Sequence, residues 1–168
     1  RVFSKGYKLV EIFTEKEKVM IKIAYLIEAH TDIERLICLC DALLLSGDVF
    51  IHIDKKTTDS EFWMKLNTFV KEHSRVVVLK KRHYVAWAGF SQVECFKSLL
   101  SESLASEKKY DRFILLSGLD FPVWSPKRIV AFFENNKDKE FVCGYNISDC
   151  KFDYQLRKIK YYHLFRFL

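Results

Sequence analysis

The sequence predicts a Rossmann-like α/β fold, a mainly parallel sheet flanked by helices. Three observations predict it. Short apolar, β-branched runs alternate with stretches whose apolar residues recur at helical spacing. The junctions carry helix-start signals at Thr31-Asp32-Ile33-Glu34, Ser91-Gln92-Val93-Glu94 and Ser125-Pro126. Finally, the apolar run Phe113-Ile114-Leu115-Leu116 breaks at Ser117-Gly118 and is followed by one carboxylate, Asp120, between Leu119 and Phe121-Pro122. In open α/β sheets, ligand sites lie just beyond the carboxyl ends of strands. Asp120 either serves such a site or simply caps the turn.

Each element follows from its local pattern. The buried run over 21–27 predicts the first strand, and Thr31 to Glu34 has capping-box spacing. Ile33, Leu36, Ile37, Cys40, Leu43 and Leu44 then share one helical face. Asp48–Ile53 predicts a second strand. Asp59 caps a helix with Phe62, Leu66, Phe69 and Val70 on its apolar face, and 75–79 is a short third strand. Ser91 to Glu94 predicts another capped helix, carrying Val93, Phe96, Leu99, Leu100 and Leu104. Residues 113–116 form the fourth strand, Ser125 caps a helix with Pro126 in its first turn, and 140–145 is a fifth strand. No repeat or linker interrupts the pattern. It reads as one domain over 20–150, preceded by an extension over 1–19 and followed by a segment over 151–168.

A chain of 168 residues, 49% hydrophobic with few Gly and Pro, is long and apolar enough for one packed core. No apolar run has membrane-spanning length, and the first residues do not read as a signal peptide. The five cysteines, Cys38, Cys40, Cys95, Cys143 and Cys150, show neither paired nor metal-ligand spacing; they read as reduced, mostly buried thiols of a cytoplasmic protein. The net charge of +6 is uneven. Lys151, Arg157, Lys158, Lys160 and Arg166 face only Asp153 beyond residue 150, and Lys80-Lys81-Arg82 forms a second basic cluster. Such clusters suit an anionic ligand, a membrane surface or nucleic acid, or are solvated faces.

Parallel strands bring their carboxyl ends to one edge. There the sequence places Glu28-Ala29-His30, then Asp54-Lys55-Lys56 preceded by His52, then a loop over 80–90, then Ser117 to Asp120. The loop holds Lys81, Arg82, His83, Tyr84, Trp87 and Gly89. Acids for base or ribose hydrogen bonds, an indole for packing and cations for phosphates suit a nucleotide. Plainer readings stand beside these: His30 as a helix-entry residue, Asp54 as a strand end, Trp87 as core. His52, between apolar strand neighbours, reads as structural, and Trp63 and Trp124 as packing residues. Neither glycine-rich phosphate-binding motif occurs, and no tight carboxylate pair is present to chelate a divalent metal beside a diphosphate. Lys or Arg would have to neutralise the phosphates.

As an ordered set these residues resemble the Core-2/I-branching N-acetylglucosaminyltransferases, glycosyltransferase family 14, which includes peptide O-xylosyltransferases. The matching residues are Ile23-Ala24-Tyr25-Leu26-Ile27 with Ala29-His30, the stretch Asp48–Ile53 with Asp54-Lys55-Lys56, Trp87-Ala88-Gly89 with Ser91, and Leu115-Leu116-Ser117-Gly118-Leu119-Asp120-Phe121-Pro122. The resemblance implies a GT-A-type enzyme that transfers a sugar, N-acetylglucosamine in the first instance, from a UDP-sugar to a glycan or polysaccharide acceptor. It implies inversion at the anomeric carbon and no metal or other cofactor. It places Asp54 on the uridine, His30 in the donor pocket, Trp87 in the loop over the donor and Asp120 near the donor sugar. Residues 155–162 resemble the acceptor-side segment, with Arg157 and Lys158 as acceptor or phosphate contacts.

Two departures qualify that picture. Ala88 stands where the family usually has glycine, a cost if the site needs φ > 0. The family's general-base glutamate and its diphosphate-binding Arg/Lys pair lie later in the domain, so the base is expected beyond residue 168, the domain incomplete at its C-terminus, and no catalytic residue is assigned here. The alternative is a catalytically silent nucleotide-sugar-binding module. Nucleic acid is not an expected partner, since no helix carries a continuous basic face. The expected setting is a bacterial cytoplasm, with peripheral contact at the inner membrane through basic and aromatic residues.

Overall fold

A computed structural model describes residues 21–142. Residues 1–19, Cys143, Cys150, Arg157, Lys158 and the basic segment over 151–168 lie outside the described residues. Eight elements alternate within them: β1 (Ile23–Ala29), α1 (Ile33–Leu44), β2 (Asp48–Ile53), α2 (Ser60–Glu72), β3 (Val76–Val78), α3 (Phe90–Ala105), β4 (Arg112–Ser117) and α4 (Pro126–Glu134). The four strands form one sheet in the order β3-β2-β1-β4, parallel throughout. The expected α/β class is what the chain adopts.

Burial explains the strand pattern. Every residue of β2 is buried, as are all of β1 except half-buried Glu28. Strands covered on both faces read as continuous apolar runs rather than alternations. Ile23, Tyr25 and Ile27 pack with Leu36, Leu39 and Leu43 of α1 and Phe62 and Leu66 of α2, joined by Ile129, Val130 and Phe133 of α4. Ala24 and Leu26 face the other way, against Cys95 and Leu99 of α3. The chain order explains the choice of face. From β1 to β3 the sheet grows in one direction; β4 returns to the other side of β1. A right-handed crossover in the reversed direction must run over the opposite face, which is where α3 lies.

Several boundaries differ from the sequence expectation. The first strand starts and ends two residues later, because Glu28 and Ala29 still pair with His52 and Ile53. Asp32, not Thr31, caps α1: its Oδ1 accepts the Arg35 N–H at 3.1 Å, from a left-handed backbone (φ 55°) that Asp tolerates. Ser91 is not a cap either. The helix starts at Phe90 after Gly89, and the Ser91 hydroxyl accepts the Ala86 N–H at 2.9 Å. Ser125 does cap α4, with Pro126 in its first turn. The third strand is trimmed to three residues. Residues 140–142 are not in strand, and the rest of the expected fifth strand lies outside the described residues. Cys40 and Cys95 are buried thiols, and burial pushes each up to about 12; Cys38 is exposed.

At the amino edge of the sheet, Asp48 is buried among three donors. Lys108 Nζ at 2.6 Å, Arg75 Nε at 2.6 Å and the Tyr110 hydroxyl at 2.8 Å all reach its carboxylate. Burial pushes this carboxyl up, but the three hydrogen bonds outweigh it and hold it below its ordinary value. That knot fastens β2 to the chain entering β3 and to the chain entering β4.

Candidate functional site

At the carboxyl edge the strand ends meet as the parallel register requires. Glu28 lies opposite His52 on one side and Ser117 on the other. The ladders continue into the loops: Asp54 N–H donates to Ala29 C=O at 2.9 Å, and Gly118 N–H to Glu28 C=O at 2.8 Å. The strand order reverses between β1 and β4, so the crevice beside Glu28 and Gly118 is the topological switch point of the sheet. At ~4.8 Å between strands, the ends of β2, β1 and β4 fall within about 10 Å of one another.

Asp54 sits at the end of β2, 4% exposed. Its Oδ1 accepts the Lys56 N–H at 2.8 Å, closing an Asx turn, and Lys56 Nζ stands 3.3 Å from Oδ2. Lys56 Nζ also donates to Val85 C=O at 2.7 Å, tying this turn to the loop over 79–89. Arg82 completes the tie. Its guanidinium donates to the carbonyls of Ile53, Asp54 and Thr57 and lies 4.6 Å above the Trp63 ring. Trp63 is thereby a packing residue, as its place in the helix predicts. Asp54 therefore shapes the edge through the Lys56 turn while staying almost fully buried itself.

His52 is structural, as expected. It is 0% exposed, its Nε2 accepts the His83 N–H at 2.8 Å, and the two imidazoles stack at 5.5 Å. Burial, then the neighbouring His83, push it down to about 4, so it stays neutral at physiological pH.

His30 is exposed just past β1, and its carbonyl accepts the Thr57 hydroxyl at 2.7 Å. Asp120 is exposed beyond β4. Its Oδ2 accepts the Ser117 N–H at 2.7 Å, and its own N–H donates to Ser117 C=O at 3.0 Å. The turn-capping reading of Asp120 is thus realised. Behind Asp120 an apolar cavity of ≈ 210 Å³ runs between β4, α1 and α4, lined by Tyr25, Leu39, Leu116, Phe121, Trp124 and Phe132. Of the four described site candidates only Asp120 borders it, and its lining is too apolar for a nucleoside diphosphate.

Trp87 is 87% exposed, which removes the core reading. It heads a turn in which Ala88 has φ 56°. The site does require the left-handed conformation that glycine would adopt freely. That conformation costs an L-residue about 1–2 kcal/mol, against which the extra unfolded-state freedom of glycine weighs about 0.4–1 kcal/mol. Ala88→Gly is therefore expected to raise stability by roughly 0.5–1 kcal/mol, read as a higher urea midpoint at unchanged slope; a lower midpoint would refute the strain.

Two residues received no role from the sequence: Glu28, placed at this edge without one, and Gln92. Glu28, the last polar position of β1, is half-buried, and its carboxyl is held above its ordinary value by that burial, with Asp54 adding to it and the Gln92 hydrogen bond opposing. Gln92 donates through Nε2 to Glu28 Oε2 at 3.3 Å and accepts the Ala88 N–H through Oε1 at 3.3 Å. The only sequence signal was a carboxylate ending an otherwise apolar strand. Among the described residues no group of three or more His, Cys, Asp or Glu is placed to hold a metal ion, and no helix is long and apolar enough to cross a membrane.

The family model described as Core-2/I-Branching enzyme matches residues 23–163. A "Xylosyltransferase" of Ciona intestinalis is 28% identical over 104 residues, 61% of this chain and 12% of that protein. A human "Probable beta-1,3-galactosyl-O-glycosyl-glycoprotein beta-1,6-N-acetylglucosaminyltransferase 7" is 24% identical over 143 residues, 84% of this chain and 33% of that protein. A human "N-acetyllactosaminide beta-1,6-N-acetylglucosaminyl-transferase" is 24% identical over 141 residues, covering 83% and 35% respectively. The chain thus spans about a third or less of the length of these curated relatives.

Proposed function

The chain belongs to the Core-2/I-Branching enzyme family, and on that premise we propose that its carboxyl edge binds the UDP-sugar donor of an inverting glycosyl transfer to a glycan acceptor. We take N-acetylglucosamine as the donor sugar in the first instance and xylose as the alternative, since the relatives' names include both N-acetylglucosaminyltransferases and xylosyltransferases. The observation that supports the reading is the switch point of the sheet, where His30, Asp54 and Asp120 follow the ends of three adjacent strands and the Trp87 turn is tied to Glu28 through Gln92.

Each residue has a role by its chemistry. Asp54 offers carboxylate lone pairs to the N–H and O–H groups of the uridine, with its position fixed by the Lys56 turn. His30 lines the same pocket. Trp87 lays its exposed ring across the donor. Asp120 walls the sugar end, held by Ser117 N–H. The carboxylates here are already engaged by protein N–H groups and by Lys56, which supports binding without a divalent cation. In the transfer, an acceptor hydroxyl oxygen bonds to the anomeric carbon from the face opposite UDP. The carbon–oxygen bond to phosphate breaks with its electron pair going to UDP, and a general base takes the hydroxyl proton. We assign that base to no described residue. Arg157 and Lys158 are proposed as acceptor or phosphate contacts.

Titration calorimetry with UDP and UDP-N-acetylglucosamine in EDTA tests this. Binding should persist in the chelator. Asp54→Asn, which keeps the turn's shape, should weaken it about tenfold, near the worth of one charged hydrogen bond. Binding abolished by EDTA would remove the metal-free claim; affinity untouched by Asp54→Asn and Asp54→Ala would remove the site.

A further inference from the structure

Gln92 has an unusual position for a first-turn helix residue. One end of its amide holds the backbone of a strained turn, and the other holds a half-buried carboxylate 64 residues away in sequence. The two partners also fix the amide's orientation, since a backbone N–H needs an oxygen and a carboxylate needs a donor. Next to it, Ser91 holds Ala86 N–H at 2.9 Å and Gly89 N–H returns to Ala86 C=O at 2.8 Å. The Trp87 turn is therefore pinned at its base by Ser91 and at its strained residue by Gln92. Glu28 is costly where it stands. An apolar side chain would continue the strand pattern at no desolvation cost.

We propose that Glu28 and Gln92 form a two-link clamp that sets the Trp87-Ala88-Gly89 turn over the sheet edge and thereby tunes donor affinity, without either side chain touching the donor. They are positioning residues. The claim rests on the reading of this edge as the donor site, and its test separates the two.

Amide hydrogen exchange of the peptide covering 84–92 reports the turn without any ligand, and UDP titration reports the donor site. Gln92→Leu should speed exchange in that peptide about tenfold and weaken UDP about tenfold, while exchange in β1 and β2 stays as in wild type. Gln92→Glu gives a signature that loss of packing cannot. It sets a second carboxylate against Glu28, and such a pair shares a proton only at low pH. The other titratable groups around Glu28 are His30 on its own strand's exit, Asp54 and Lys56 beyond β2, and Cys95 on α3. They are common to both proteins, so the wild-type curve subtracts them. From pH 8 to 5 the Gln92→Glu protein should recover slow exchange and UDP affinity relative to wild type. Glu28→Gln, which can still accept from Gln92, should stay within about twofold of wild type.

Unchanged exchange at 84–92 in Gln92→Leu, or a Gln92→Glu curve parallel to wild type, overturns the clamp. If exchange responds as expected but wild type binds no UDP, the donor reading fails and the tuning claim falls with it. If wild type binds UDP but Gln92→Leu binds it equally well despite faster exchange, the donor reading survives and the tuning claim alone is overturned.

Discussion

Between pH 6.5 and about 4 the protein is expected to lose up to roughly 3 kcal/mol of folding stability through His52. The folded imidazole is pushed from its ordinary 6.5 down to about 4 by burial first and by His83 second. Its Nε2 must stay unprotonated to accept the His83 N–H. Above pH 6.5 both folded and unfolded forms are neutral and the full stability is present. As pH falls below 6.5 the unfolded chain takes up a proton that the native core refuses, so the balance shifts toward unfolding. Below about 4 both states are charged and the loss stops growing. Two other groups bound this window. Asp48, held below its ordinary value, gives up its contribution only under more acidic conditions. Glu28, held above its ordinary value, works in the opposite sense and gains on acidification. Urea midpoints across pH 4–7.5 measure the slope. His52→Gln, whose amide oxygen can accept the same N–H, should flatten it; an unchanged slope would assign the acid sensitivity elsewhere.

Gly118→Ala is expected to cost about 1–3 kcal/mol, the range for overpacking a close-packed site. The reason is space, not backbone freedom, since Gly118 does not have a positive φ. A Cβ there would lie 2.8 Å from Ala29 Cβ, 3.3 Å from Ala29 Cα and 3.5 Å from Glu28 O. Those atoms belong to β1 at the switch point, where Gly118 N–H is already bonded to Glu28 C=O. The strand ends would have to part, carrying Ser117 and Asp120 away from His30. Thermal melts of Gly118→Ala, Ala29→Gly and the double variant form a cycle. Because the clash is between two Cβ atoms, Ala29→Gly should rescue Gly118→Ala by about 1 kcal/mol or more beyond its own effect. Strict additivity would show that the two strand ends do not meet there.

The parallel sheet and the placement of His30, Asp54 and Asp120 just beyond its strand ends were legible because they depend on local order: an apolar run, then a polar residue past its end. β2 was readable at both ends because every one of its residues is buried and Asp48 and Asp54 bracket it. The α1 and α3 starts differ from the capping-box expectation because neighbouring groups take the capping contacts. Thr31 and Ser91 satisfy capping spacing, yet Asp32 supplies a better acceptor next door, and the Ser91 hydroxyl is taken by Ala86 N–H. Trp87 was ambiguous between core and loop because its exposure depends on how the turn leaves the sheet. Glu28 and Gln92 were unreadable as a pair. Their contact spans 64 residues, and each alone looks like an ordinary strand end and an ordinary helix residue.

The position of β1 has a consequence for how the chain assembles. β1 is central, yet its two neighbours arrive at very different times. β2 follows after one helix, whereas Lys22 N–H meets Asp111 Oδ2, and β1 meets β4, across 89 residues. During synthesis at about 5–20 residues per second, that interval lasts roughly 5–20 s. Throughout it, one flank of this largely apolar strand exposes unpaired N–H and C=O groups, the template for pairing with another chain. Closing so long a loop is slow, though only modestly costly at equilibrium. The newborn protein is therefore most vulnerable to aggregation through the same open flank of β1 that β4 later covers.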